Sequence, residues 1–182
     1  MNKDEQLQKI AREIEVCAVC KKDKHGKAVP GEGNPNADIL FVGEAPGRTE
    51  AEIGRPFIGR SGKLLRSLIV ESGLKEEDVF ITSPVKYLPD YITPKPSDIE
   101  HGFTHFGQQI EIIDPKMIVL LGRVACLAVL KKNISVVLRH GEIIEENGRK
   151  YFITVHPAAA LRFKKMKALL LEDFVKLKEL VN

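Results

Sequence analysis

DILFVGEAPGRTEAEIGRPFIGRSGKLLRSLIVESG, residues 38–73, is the stretch whose reading decides the fold. Asp38 to Val42 is a short apolar run that stops at Gly43, the pattern of a strand buried on both faces. From Gly62 to Ser72, Leu64, Leu65, Leu68 and Ile69 fall on one face of a helix, and Gly73 stands where a C-terminal cap belongs. Val79 to Thr82 then supplies a second β-branched and aromatic run.

The same alternation continues on the C-terminal side. Ser97-Asp98-Ile99-Glu100 reads as a capping box after a proline-rich loop. The helix it opens carries Ile99, Phe103, Phe106, Ile110 and Ile113 at spacings of three and four, and Asp114-Pro115 ends it. Met117 to Leu121 is a third strand, Arg123 to Leu130 a short helix, and Tyr151 to Val155 the last strand. Asn147-Gly148 between strand-like runs marks a hairpin turn, and residues 165–181 form an amphipathic closing helix. Towards the N-terminus, residues 21–36 are rich in Lys, Gly, Pro and Asn and read as a surface loop.

Strands alternating with helices imply an α/β protein: a central, mostly parallel sheet covered on both faces, hence a three-layer sandwich. In such folds sites gather beyond the carboxyl ends of the strands. Gly43 follows the first strand, Ser83 the second and His156 the last, so three loops converge on one crevice.

With 182 residues the chain suits one domain, residues 1–182, and no apolar run is long enough for a transmembrane helix. The charged, helix-like N-terminus lacks the apolar stretch of a signal peptide. Three cysteines without framework spacing point to a reducing, cytoplasmic setting. A net charge of +3 permits nucleic-acid binding without demanding it. Scarce Gln beside plentiful Lys and Glu points to a heat-adapted source.

In the first loop, residues 43–62, seven positions are Gly or Pro, so the backbone turns tightly or approaches something closely. Its polar cargo is Glu44 and Glu50 and its aromatic is Phe57. It is neither a Walker loop nor a dinucleotide fingerprint. Taken alone, such a loop could equally be a structured connection with solvated glutamates. His156 at a strand end before Pro157 is more suggestive than a histidine on a helix face, though lone histidines are often structural.

GEAPG at 43–47, GRPFIGRSGKLL at 54–65 and HPAAALR at 156–162, with CAVC at 17–20 before them, together resemble the family 4 uracil-DNA glycosylases over nearly the whole chain. The resemblance implies a uracil-DNA glycosylase-like sandwich that hydrolyses the N-glycosidic bond of a deaminated base flipped out of DNA and leaves an abasic site. It implies roles for particular residues as well. Gly43, Glu44 and Ala45 would contact the everted base or position water. Phe57 would stack on the base, Glu50 would serve hydrolysis, and His156 would stabilise charge on the departing base. Arg60 and Ser61, and the stretch through Leu161 and Arg162, would approach the DNA strand. Lys164, Lys165 and Lys167 extend that basic run and could grip phosphates, or simply begin a solvated helix. No lysine nucleophile is evident, so a monofunctional enzyme acting on double- or single-stranded DNA is expected, and with no sign of oligomerisation in the sequence a monomer is the default. A non-catalytic paralogue that binds damaged DNA or a repair partner is the alternative, and hydrolysis of free nucleosides a third reading.

Two departures from the family pattern stand out. The family's four cysteines hold a 4Fe-4S cluster. Cys17 and Cys20 match the first pair, but Tyr87 and Gly102 occupy the other two positions, and Cys126 reads as a core residue. Two thiolates do not hold a cubane, so no cluster and no cofactor are expected. A zinc site from Cys17, Cys20 and His101, with His105 one turn further along the helix as an optional fourth ligand, is the alternative. Secondly, Ser83 stands where the family reads uracil with asparagine, so the preferred base could be broader or different.

Overall fold

A computed structural model describes residues 1–91 and 93–181. Its elements in chain order are α1 (Lys3–Val16), α2 (Ala18–Lys21), β1 (Lys24–His25), β2 (Glu32–Gly33), β3 (Ile39–Val42), α3 (Arg48–Ile53), α4 (Arg60–Glu71), β4 (Val79–Thr82), β5 (Leu88–Pro89), α5 (Pro96–Ile113), β6 (Met117–Leu121), α6 (Arg123–Leu130), α7 (Val136–Arg139), β7 (Ile143–Glu146), β8 (Arg149–Thr154), α8 (Pro157–Arg162) and α9 (Lys164–Val181).

Six strands form one sheet in the order β2-β4-β3-β6-β8-β7. The four central strands run parallel, and β2 and β7 close the edges antiparallel. Every residue of β3, β4 and β6 is buried, which explains their unbroken apolar runs: such strands are covered on both faces. From β3 the chain moves through α4 to β4 on one side, then through α5 to β6 on the other. Right-handed crossovers in opposite directions put α4 and α5 on opposite faces. Accordingly α1 packs on α5, while α4, α8 and α9 pack together. The closing helix buries Leu170, Phe174 and Leu177 in the main core, Phe174 stacking on Phe41 of β3 at 6.3 Å. Burial of each such large side chain stabilises by about 1.5–3 kcal/mol.

Four expectations need correction. Residues 21–36 are not one loop: β1 pairs with β5, and β2 forms the sheet's edge against β4. The loop of residues 43–62 contains the helix α3, and α4 starts at Arg60 rather than Gly62. Ser97 is not the cap of α5; the helix starts at Pro96, whose missing N–H suits a first turn, and the Asp98 carboxylate accepts the Lys95 N–H at 3.0 Å. Finally, Phe103 is exposed, with the Lys131 ammonium 3.8 Å from its ring. The buried stripe runs through Ile99, Gly102, Phe106, Ile110 and Ile113 instead, because Gly102 lies against the Pro84 carbonyl.

Candidate active site

Beyond the carboxyl ends of β3, β4 and β8 lies a cleft of about 610 Å³, a size suited to a small organic group. Glu44, Ala45, Glu50, Phe57, Ser61, Ser83, His156 and Arg162 all line it. The sheet reverses its order of growth at β3, so loops leaving β3 and its neighbours diverge and open this crevice.

Phe57 is held in the left-handed region, at φ 51°. A non-glycine residue keeps that conformation only where its surroundings over-determine it. Here they do. The Glu50 Oε1 accepts the backbone N–H groups of Ile58 at 2.9 Å and Gly59 at 2.7 Å. The Arg66 guanidinium donates to the carbonyls of Phe57 and Pro56, each at 2.9 Å, and also pairs with Glu32 and Glu76. The remaining constraint is steric. Gly43 leaves room for the ring, whose edge would lie 2.6 Å from a Cβ there, and Gly62 admits the Phe57 backbone itself. The ring is thus laid across the start of the GEAPG turn, 5.8 Å from the His156 ring. Burial opposes the charge on Glu32, but Arg55 and Arg66 outweigh it and hold that carboxyl below its usual range.

His156 caps α8: its Nδ1 accepts the Ala158 N–H at 3.1 Å. An acceptor Nδ1 puts the proton of the neutral ring on Nε2. That Nε2 has no protein partner among the described residues. Burial pushes the ring down to about 4, so it is neutral at ordinary pH and can donate from Nε2. Glu44, half-buried in the same wall, has its carboxyl raised by burial, which the Arg123 charge only partly offsets.

Ser83 is buried, and its hydroxyl donates to the Val85 carbonyl at 2.9 Å. With its single proton used, the oxygen offers only lone pairs to the cleft. Arg60, Lys164 and Lys165 are exposed but do not line the cleft, whereas Ser61 at the start of α4 and Arg162 at the end of α8 do. Leu161 is exposed and does not line the cleft, whereas Phe163, 61% exposed, does. Sequence reading overlooked Phe163 and the exposed Tyr91. The one available signal was an aromatic ring placed between two short basic segments.

The residues at the family's cysteine positions differ from a four-thiolate set. Tyr87 is buried with its hydroxyl directed at the Ile14 carbonyl, 3.3 Å away, and a side chain at Gly102 would strike the Pro84 carbonyl. Cys126 is buried in α6 within the main core. The residues present therefore do not fit a 4Fe-4S cubane. What is present is a group of Cys17, Cys20, His101 and His105 that could hold a metal ion.

Comparisons with known proteins give the family. A family model described as the uracil DNA glycosylase superfamily matches residues 30–178. A type-4 uracil-DNA glycosylase of Saccharolobus solfataricus is 43% identical across 97% of this chain and 87% of its own length. Those of Sulfurisphaera tokodaii and Thermotoga maritima are 41% and 37% identical, across 96% and 99% of this chain and 84% and 97% of their own lengths. No helix among the described residues is long and apolar enough to cross a membrane. On matches of this span and identity, the chain belongs to the type-4 branch of the uracil DNA glycosylase superfamily.

Proposed function

We propose that this protein is a DNA N-glycosylase that hydrolyses the bond between uracil and deoxyribose, acting as a single-domain monomer on a base flipped from the stack. The observation that carries this reading is the joint placement of Phe57, Glu50 and a neutral, Nε2-protonated His156 around one cleft large enough to admit a nucleobase. A base within a duplex is out of reach, and extrusion costs stacking energy. The Phe57 face returns part of it, about 1–3 kcal/mol.

In the reaction the N1–C1′ bond breaks and its electron pair stays with the base. Negative charge develops on the base carbonyl oxygens and positive charge on the sugar. His156 donates from Nε2 to the oxygen that gains charge, as in an oxyanion hole. Glu50, with Oε1 fixed by two amides, keeps Oε2 to orient the water that adds to C1′ and to accept its proton. Glu44 and Ala45 wall the base or hold that water, while Gly43, which is not part of the cleft lining, lies against the Phe57 ring. Arg60, Ser61, Arg162, Lys164 and Lys165 meet phosphates on either side, and Phe163 at the rim is placed to fill the gap the base leaves. A binder without catalysis would not need a carboxylate and an imidazole fixed in one cleft.

Oligonucleotides bearing uracil, hypoxanthine, xanthine or mismatched thymine, treated with the protein and then with alkali, test the assignment. Scission at uracil is expected; tight binding without scission on every substrate would replace the enzyme reading with the binding one.

Ser83 sets the selectivity. Its oxygen can accept the N3–H of uracil but repels the bare N3 of cytosine. The Ser83→Asn variant restores an amide with a donor and an acceptor in one plane, and each added hydrogen bond contributes about 0.5–1.5 kcal/mol. Its kcat/KM on uracil is expected to rise about 3–10-fold relative to hypoxanthine. Equal ratios in the two proteins would remove position 83 from base recognition.

A further inference from the structure

Some distance along the sequence from the cleft loops, four side chains converge without a chemical explanation among the described residues. We propose that Cys17, Cys20, His101 and His105 form a mononuclear zinc site that pins the α1–α2 turn to α5, where relatives in this branch would carry a cluster.

Their ligand atoms all lie within 4.8 Å of one another. A zinc tetrahedron with Zn–S of about 2.3 Å and Zn–N of about 2.0–2.1 Å has edges of roughly 3.3–3.8 Å, so small side-chain rotations close it. The Cys17 Sγ already sits 3.2 Å from the His101 Nε2. The Cys20 N–H points at the Cys17 Sγ at 3.4 Å, a donor that favours the thiolate. His101 and His105 stand one turn apart on α5, ring centroids 5.9 Å apart and edge-on.

His105 is the second, independent sign. Both of its ring nitrogens are buried and neither has a partner. A buried polar atom left unpaired has given up its hydration without replacement, so native structures rarely tolerate one unless something else binds it. A metal ion answers one of the two nitrogens directly.

The donor set and spacing also select the metal. Two thiolates and two imidazoles in a tetrahedron suit zinc. Two thiolate charges cancel the dication, leaving a neutral centre in a half-buried position. The same four residue types could hold a two-iron, two-sulfide cluster, with cysteines on one iron and histidines on the other. That arrangement separates the cysteine sulfurs from the histidine nitrogens, whereas here the Cys17 sulfur lies 3.2 Å from the His101 Nε2 and all four ligand atoms lie within 4.8 Å of one another.

The test uses the full-length protein and is independent of glycosylase activity. Elemental analysis is expected to give about one zinc per chain, without acid-labile sulfide. After chelation under reducing conditions, cobalt(II) is expected to produce the visible bands of a tetrahedral thiolate complex, which zinc then bleaches. Chelation is expected to lower Tm by about 10 °C. His105→Ala, its fold checked by circular dichroism, is expected to bind cobalt at least about 10-fold more weakly with altered bands; Cys126→Ala is expected to leave both unchanged. Iron with labile sulfide, no tetrahedral cobalt spectrum, or a spectrum that His105→Ala leaves intact would each overturn the proposal. Should His105→Ala fail to fold, the cobalt titration and sulfide analysis of the unaltered chain decide it.

Discussion

Replacing His156 with alanine is expected to slow single-turnover uracil release by about 10²–10³-fold while the fold persists, the loss found when one preorganised donor is removed from a developing anion. The cost to stability is smaller. Losing the cap on α8 removes about 1 kcal/mol, a Tm shift of about 2–4 °C in a chain of this size. The protonation state gives a sharper check. Burial holds the folded ring at about 4, below its ordinary value near 6.5. The unfolded chain therefore binds the extra proton first as pH falls, so the His156 contribution to stability weakens between about 6.5 and 4. Over the same range the folded ring stays neutral and Nε2 remains a donor. The unaltered protein is expected to show no limb near pH 6.5 that belongs to His156. A limb at that pH, abolished by His156→Ala, would mean that the imidazolium and not the imidazole acts.

Glu50 is expected to be as costly to replace, and the choice of substitute separates its two tasks. Both backbone bonds fall on Oε1. In Glu50→Gln the amide oxygen can still accept both, so the Phe57 turn survives, but the negative charge and the proton acceptor are lost. The rate is expected to fall about 10²–10⁴-fold with little change in Tm. Glu50→Ala also frees two amides that were bonded to a charged group, each such bond being worth about 1.5–3 kcal/mol. It is expected to lower both the rate and the melting temperature. If Glu50→Gln kept the full rate, the side chain would be a brace for the turn and the water would need another partner, Glu44 being the nearest candidate on the same cleft wall.

The central strands were legible in the sequence because burial on both faces writes an uninterrupted apolar run, and β4 and β6 match the reading residue for residue. The convergence of Phe57, Glu50 and His156 was legible because strand order fixes which loops share an end of the sheet. What escaped were features set by distant partners. β1 and β2 are two residues each, too short to carry a period, and form only because β5 and β4 pass beside them. Residues 48–53 were read as part of the glycine- and proline-rich loop 43–62 because a helix of six residues hardly shows an amphipathic stripe. The left-handed Phe57 was invisible, since nothing local prefers it; Arg66, nine residues on, holds it there. Glu50 was picked out for hydrolysis, and the reading missed that half of its carboxylate is engaged in building the turn.

Arg66 joins the Phe57 turn to Glu32 on the outermost strand and to Glu76 before β4. In most sheets the margin frays first and independently of the interior. Tied in this way, the β2 margin and the Phe57 turn are expected to open together, which amide hydrogen exchange would show as equal protection in the two segments. A change as remote as Glu32, which no substrate would touch, is then inherited by the enzyme as a change in how long its pocket stays assembled.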